Sequence, residues 1–232
     1  MTEQDVHKMR EIVLDTETTG LDPDAGHRVV EIAALELLGH IPTGRSFQCY
    51  LNPERDMPED AERVHGLSEQ FLSDKPKFEE MVQEFLEFIG DANLIIHNAA
   101  FDLKFLNAEL KAIGQDPISA NRAIDTVQLA RQKLPGAQVS LDALCRRFQI
   151  DNSARTFHGA LLDCELLSEV YLELRGGRQP DLALAANTVK KSQSETQDSK
   201  PERPARPHFP SETEADAHAK MLEGLKSPIW LN

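Results

Sequence analysis

The segment REIVLDTET, residues 10–18, constrains the fold more than any other. It begins as the apolar run that fills a central strand, yet it ends on two acids, Asp15 and Glu17, one residue apart. Strand side chains alternate faces with a period of two, so both carboxylates point the same way, roughly 7 Å apart along the strand. Like charges on one face repel unless a cation lies between them. A sheet built around this strand therefore needs something to neutralise its acidic end.

The following segments supply the rest of the sheet. RVVEIAALELLG and SFQCYLNP read as second and third strands, separated by the turn-rich stretches GLDPDAGH and HIPTG, which predicts an antiparallel meander. From Lys77 the apolar period becomes helical in FEEMVQEFLEFIG, then NLIIHN reads as a short buried strand and FDLKFLNAELKAIG as an amphipathic helix ending at Gly114. AIDTVQLARQKL, SLDALCRRFQI and GALLDCELLSEVYLELRGG continue the series. Strands first and alternation afterwards predict an α/β fold: a mixed sheet of three antiparallel strands plus parallel ones, flanked by helices. The 232 residues, 40% of them hydrophobic, suffice for one such domain, expected over residues 8–178, plus an appendage.

Composition changes after residue 186. Residues 187–218 are polar and proline-bearing, the signature of a disordered linker, whereas residues 219–232 gather Met221, Leu222, Leu225, Ile229, Leu231 and the only tryptophan, Trp230. An apolar cluster beyond a solvated linker reads as a peptide that binds another protein. Cys49, Cys145 and Cys164 are far apart, which suits buried thiols in a reducing compartment. With no signal-like start and no long apolar run, the expected location is the cytoplasm, with no membrane contact. The net charge of −14 excludes a protein that holds nucleic acid by charge alone.

Two further acids stand where apolar residues belong. Asp163 heads the stripe Leu166, Leu167, Val170, Tyr171, Leu174, and Asp102 heads the stripe Phe105, Leu106, Leu110, Ile113. Glu165, Glu169 and Glu173 fall on a different, solvated face. A core-facing carboxylate is costly unless paired or bound to metal. Four such acids without cysteine ligands suit hard cations, Mg²⁺ or Mn²⁺, and two such ions can stabilise the attacking and leaving oxygens of a phosphoryl displacement. His158 lies five residues before Asp163, too far round a helix to share its inner face, so it belongs on the entering loop, where Gly159 would lend backbone freedom. From there it is a candidate general base.

In order and spacing, D-x-E-T-T-G at Asp15–Gly20, H-N-A-x-F-D at His97–Asp102 and H-x(4)-D at His158–Asp163 resemble the DEDD exonuclease superfamily, in its histidine-bearing branch of RNase H-like fold. VHGL, DKP, SLDALCRRFQIDNS and HGALLD make residues 10–177 similar, segment by segment, to the family of proofreading ε subunits of bacterial DNA polymerase III. The resemblance implies removal of mispaired nucleotides from DNA 3′ ends as nucleoside 5′-monophosphates. It also implies that Asp15, Glu17 and Asp163 hold two metal ions, that Asp102 completes the set partly through water, and that His158 is the base. His65, Asp60 (in the loop MPEDAER), Thr18 and Phe101 would contact substrate, together with the acids Asp15, Glu17 and Asp163. Gln179–Leu184, QPDLAL, within the segment 179–186, resembles a sliding-clamp-binding peptide anchored by Gln179, Leu182 and Leu184. Residues 219–232, around Trp230, stand where the family carries its peptide for the polymerase α subunit. A tether would supply the effective concentration that charge does not. The alternatives are a free-standing exonuclease that trims RNA or DNA ends, which has little use for such a tail, and a non-catalytic scaffold, which has little use for all five polar residues.

Overall fold

The computed structural model describes residues 10–153, 155, 157–177 and 211–223. Strands β1 (Arg10–Thr18), β2 (Val29–Leu38) and β3 (Ile41–Tyr50) form the antiparallel meander. Strands β4 (Asn93–Ile96) and β5 (Ala123–Asp125) continue the sheet in parallel on the other side of β1, in the order β3-β2-β1-β4-β5. This is the expected mixed sheet.

One turn departs from expectation. HIPTG is not a connection: Leu38 already pairs with Ile41, and only Gly39 and His40 bridge the strands. Both have positive φ, 59° and 70°, as a two-residue turn matched to strand twist demands. Pro42 is tolerated inside β3 because that strand lies at the sheet edge, next to a register shift in β2 between Leu35 and Leu37.

The helices are α1 (Glu59–His65), α2 (Glu69–Leu72), α3 (Phe78–Ile89), α4 (Ala99–Ala112), α5 (Thr126–Lys133), α6 (Leu141–Phe148) and α7 (Ala160–Arg175). Ile12, Leu14, Ile32 and Ala34 pack against Phe85 and Ile89 of α3 and Leu106 and Leu110 of α4. The alternate residues Val13, Ala33, Leu35 and Leu37 pack on the other face against Leu144 of α6 and Cys164, Leu167, Val170 and Tyr171 of α7. The strand period of two thus distributes β1 between two cores. All three cysteines are free and buried, and burial pushes the Cys49 and Cys145 thiols up to about 12 and about 11, which leaves them unreactive.

β1 outlasts its parallel neighbour. Its last pair with β4 is Val13 with Ile95, whereas its pairing with β2 runs on to Thr18 and Val29. Residues 15–18 therefore project into a notch beyond the end of β4. A separate unit covers residues 185–232 and contributes α8 (Glu212–Glu223), which includes the last residues of the expected linker. Its sequence explains this: Ser211 and Glu214 exchange hydrogen bonds as a capping box ahead of good helix formers. Among the described residues no helix is long and apolar enough to cross a membrane.

Candidate active site

Asp15 and Glu17 share the parity of Val13 and point toward the α7 side of the sheet. Asp163, in the first turn of α7 and 4% exposed, meets them there. Asp102, in the first turn of α4 and 3% exposed, arrives from the opposite face. It fits because Thr16, still paired with Ile32 of β2, has no partner on its β4 side: the Thr16 N–H and hydroxyl both donate to Asp102 Oδ1, at 3.1 and 2.7 Å. Asn98, in left-handed backbone at φ 71°, turns the chain from β4 into α4, and its N–H is held by Asp125 at 3.2 Å.

The acids crowd one another. Burial, then the charges of Asp102, Glu17, Asp163 and Glu31, raises Asp15 well above the ordinary carboxylate range. Burial likewise pushes Glu17 up to about 9, with Asp163, Glu31 and Asp102 adding to the effect. Asp102 rises to about 7 because burial outweighs the hydrogen bonds from Thr16. The excess negative charge is what a hard cation would neutralise.

His158 lies on the loop entering α7, as expected, and is half exposed. Glu17, His158 and Asp163 each present a ligand atom, all within 4.8 Å of one another. The backbone freedom expected of Gly159 is not used: its φ is −132°, open to any residue. The loop is instead pinned to α1. The His158 N–H donates to the Val64 carbonyl at 3.0 Å, and Phe157 lies over Gly66 so closely that a Cβ there would stand 3.2 Å from its ring. Gly66 also needs its positive φ of 75° to end α1.

Beside the acids is a cavity of about 540 Å³, whose lining includes Glu17, Thr18, Asp60, His65 and Phe101. Asp60 and His65 are on helix α1, not in a loop; the helix escaped the periodicity because His65 is its only buried residue. His65 Nδ1 accepts the Leu67 N–H at 3.0 Å, so the ring proton sits on Nε2, which is buried near the Thr18 backbone. Asp60 is exposed and paired with Arg63. Phe101 both lines the cavity and packs on Phe105, with ring centroids 5.0 Å apart. The Thr18 hydroxyl donates to the Gly20 carbonyl at 2.6 Å. Gln179, Leu182, Leu184 and Trp230 lie outside the described residues.

Sequence reasoning missed Glu31 and Arg155. Glu31 sits directly opposite Glu17 in β2, 2% exposed, and accepts the Ala160 N–H at the start of α7 at 3.2 Å. An acid inside the otherwise apolar VVEIAA was its signal. Arg155 makes a bidentate pair with Asp163, Nε to Oδ1 and Nη2 to Oδ2, both at 2.6 Å. No local pattern announces it.

Residues 12–171 match the RNase T exonuclease family. The DNA polymerase III subunit epsilon of Rickettsia felis is 49% identical over 222 residues, spanning 94% of this chain and 97% of that protein. The chain belongs to the DNA polymerase III epsilon-subunit family of exonucleases. The Escherichia coli epsilon subunit is 46% identical over 183 residues, 76% of this chain and 75% of that protein. Among solved structures, the epsilon-family fold is similar to exonuclease X in complex with 5′ overhanging duplex DNA, at 25% identity and TM-score 0.55, covering 70% of this chain and 89% of that one. It is also similar in fold to the nuclease domain of 3′hExo, a DEDDh family member bound to rAMP, at 18% identity and TM-score 0.63, covering 72% and 92%. The family implies metal dependence, and the donor set fits it: crowded carboxylates with mutually raised proton affinity beside one histidine.

Proposed function

We propose that this proofreading 3′→5′ exonuclease hydrolyses the 3′-terminal phosphodiester of DNA to release a nucleoside 5′-monophosphate, with Asp15, Glu17 and Asp163 as metal ligands and His158 as general base. The observation that carries the reading is the convergence of these residues and Asp102 in the notch beside a cavity of about 540 Å³. Two divalent ions, Mg²⁺ or Mn²⁺, would supply positive charge against the attacking and leaving oxygens.

The chain's own groups do the rest. A mispaired terminus frays, and the cavity accepts its last nucleotide. Phe101, backed by Phe105, packs against the base. His65, on the wall of the same cavity, offers its Nε2–H to the incoming nucleotide. Thr18 and Asp60 border the same space. Asp102 fixes the end of β1 through Thr16, so the carboxylates of Asp15 and Glu17 keep their positions. His158 takes the proton from the attacking water.

The assembly follows the same reading, in the cytoplasm. Residues 219–232, with Trp230, bind the polymerase α subunit; Gln179, Leu182 and Leu184 bind the sliding clamp; residues 187–218 tether the two functions. Family membership supports this, and so does the net charge of −14, which leaves little general attraction for DNA.

Asp15→Ala, assayed on a labelled single strand with Mg²⁺, should lose at least about a thousandfold in rate. Full activity in that variant would overturn the metal reading. For the assembly, Trp230→Ala in the full chain should abolish co-purification with the polymerase while leaving hydrolysis of single strands unchanged.

A further inference from the structure

Arg155 is the only arginine or lysine among the described residues that bonds to the acidic cluster, and it bonds in a particular way. Its fork takes both oxygens of Asp163. The same Nη2 lies 2.9 Å from His158 Nδ1. Arginine keeps its protons at any ordinary pH, so this contact has one polarity: arginine donates, Nδ1 accepts, and a neutral His158 carries its proton on Nε2. Nδ1 is also the ring nitrogen near Asp163, 3.6 Å from Oδ2. One guanidinium thus covers a carboxylate assigned to metal and the lone pair of the assigned base.

The group has a second seat. Nη1 donates to Asp142 Oδ1 at 2.8 Å; that carboxylate, in the first turn of α6, is half exposed and also held by Asn152 at 3.0 Å. Rotation away from Asp163 would leave Arg155 paired with Asp142. A divalent ion on Asp163 would meet a fixed positive charge at close range, a repulsion that favours such a move.

We propose that Arg155 is a displaceable internal counter-ion, which occupies Asp163 and His158 Nδ1 in the metal-free protein and withdraws toward Asp142 when metal binds. It is a positioning residue that holds the resting nuclease disarmed, with one ligand and the base both engaged. The inference rests on Asp163 being a metal ligand.

The test titrates Mn²⁺ into the chelator-treated full chain, with free Mn²⁺ read by electron paramagnetic resonance. Arg155→Gln should bind Mn²⁺ at least about tenfold more tightly than the parent, because a competing charge is gone. Arg155→Lys, which keeps the charge but loses the fork, should fall between them. A merely structural arginine predicts the opposite, so unchanged or weaker Mn²⁺ binding by Arg155→Gln overturns the proposal. Asp163→Asn separates the two assignments. Weak binding in Asp163→Asn with no gain in Arg155→Gln sinks the counter-ion alone, and parental binding in Asp163→Asn sinks the ligand assignment beneath it. If Arg155→Gln does not fold, the parent chain decides. At alkaline pH, ¹⁵N spectra should show His158 protonated on Nε2 with Nδ1 hydrogen-bonded, and Mg²⁺ should shift the Nδ1 resonance toward that of a free lone pair. A resonance unmoved at Mg²⁺ saturation overturns displacement.

Discussion

Asp102 and Asp163 occupy equivalent places: each is in the first turn of a long helix, and each is almost wholly buried. Their partners differ in kind. Asp102 is bonded by a backbone N–H and a hydroxyl on β1, neutral donors fixed by the sheet. Asp163 is bonded by the cationic end of a long side chain on a loop. The first arrangement ties the carboxylate to the sheet; the second neutralises its charge with a group that also reaches Asp142. On the proposed reading, two carboxylates that sequence presents as a matched pair divide into one strut and one exchangeable ligand.

The largest test of this difference removes each charge in turn. Asp163→Asn should weaken Mn²⁺ binding by about 100-fold or more, whereas Asp102→Asn, which keeps an oxygen for Thr16, should cost only about tenfold. Equal losses would erase the distinction. His158→Ala should lower the exonuclease rate by about 10²–10⁴ with its melting temperature kept, and should flatten the acid limb of the pH–rate profile. An unchanged profile would remove His158 from the role of base. Thr16→Val deletes the hydroxyl donor to Asp102 and should lower the rate about 10- to 100-fold through misplacement of the β1 end. A rate equal to the parent's would mean that Asp102 is no strut.

The smallest effect is thermodynamic. Glu17 has its proton affinity raised on folding, from an ordinary value of 4.5 to about 9, so the folded form is favoured below 4.5 and that advantage is lost as pH rises through 9. Asp102, raised to about 7, acts with the same sign. Chelator-treated protein should therefore melt at progressively lower temperature as pH rises through this window, and Mg²⁺ should flatten the dependence. A melting temperature that rises with pH over this window would contradict the crowded-acid picture.

The sheet and helices α3 to α7 were legible because their apolar periods are strong, and the four acids because each interrupts such a period. The short helices α1 and α2 were not, since they bury one residue each, His65 and Leu72, and so write no period at all. The β2–β3 turn was misjudged because proline outweighed the strand pairing that an edge position permits. Arg155 was invisible for a deeper reason. Its meaning lies in Asp163, His158 and Asp142 together, and that grouping exists only once α6 and α7 pack side by side.

Asp163 belongs to the last helix of the nuclease domain, and its helix packs on β1, near the domain's beginning. A contact of such long range forms late, after nearly all of the domain has left the ribosome. A nascent or truncated chain that already carries Asp15 and Glu17 consequently lacks one of its proposed metal ligands. Such a nuclease would be harmless throughout its own synthesis, able to degrade a DNA end only after the domain that directs it is whole.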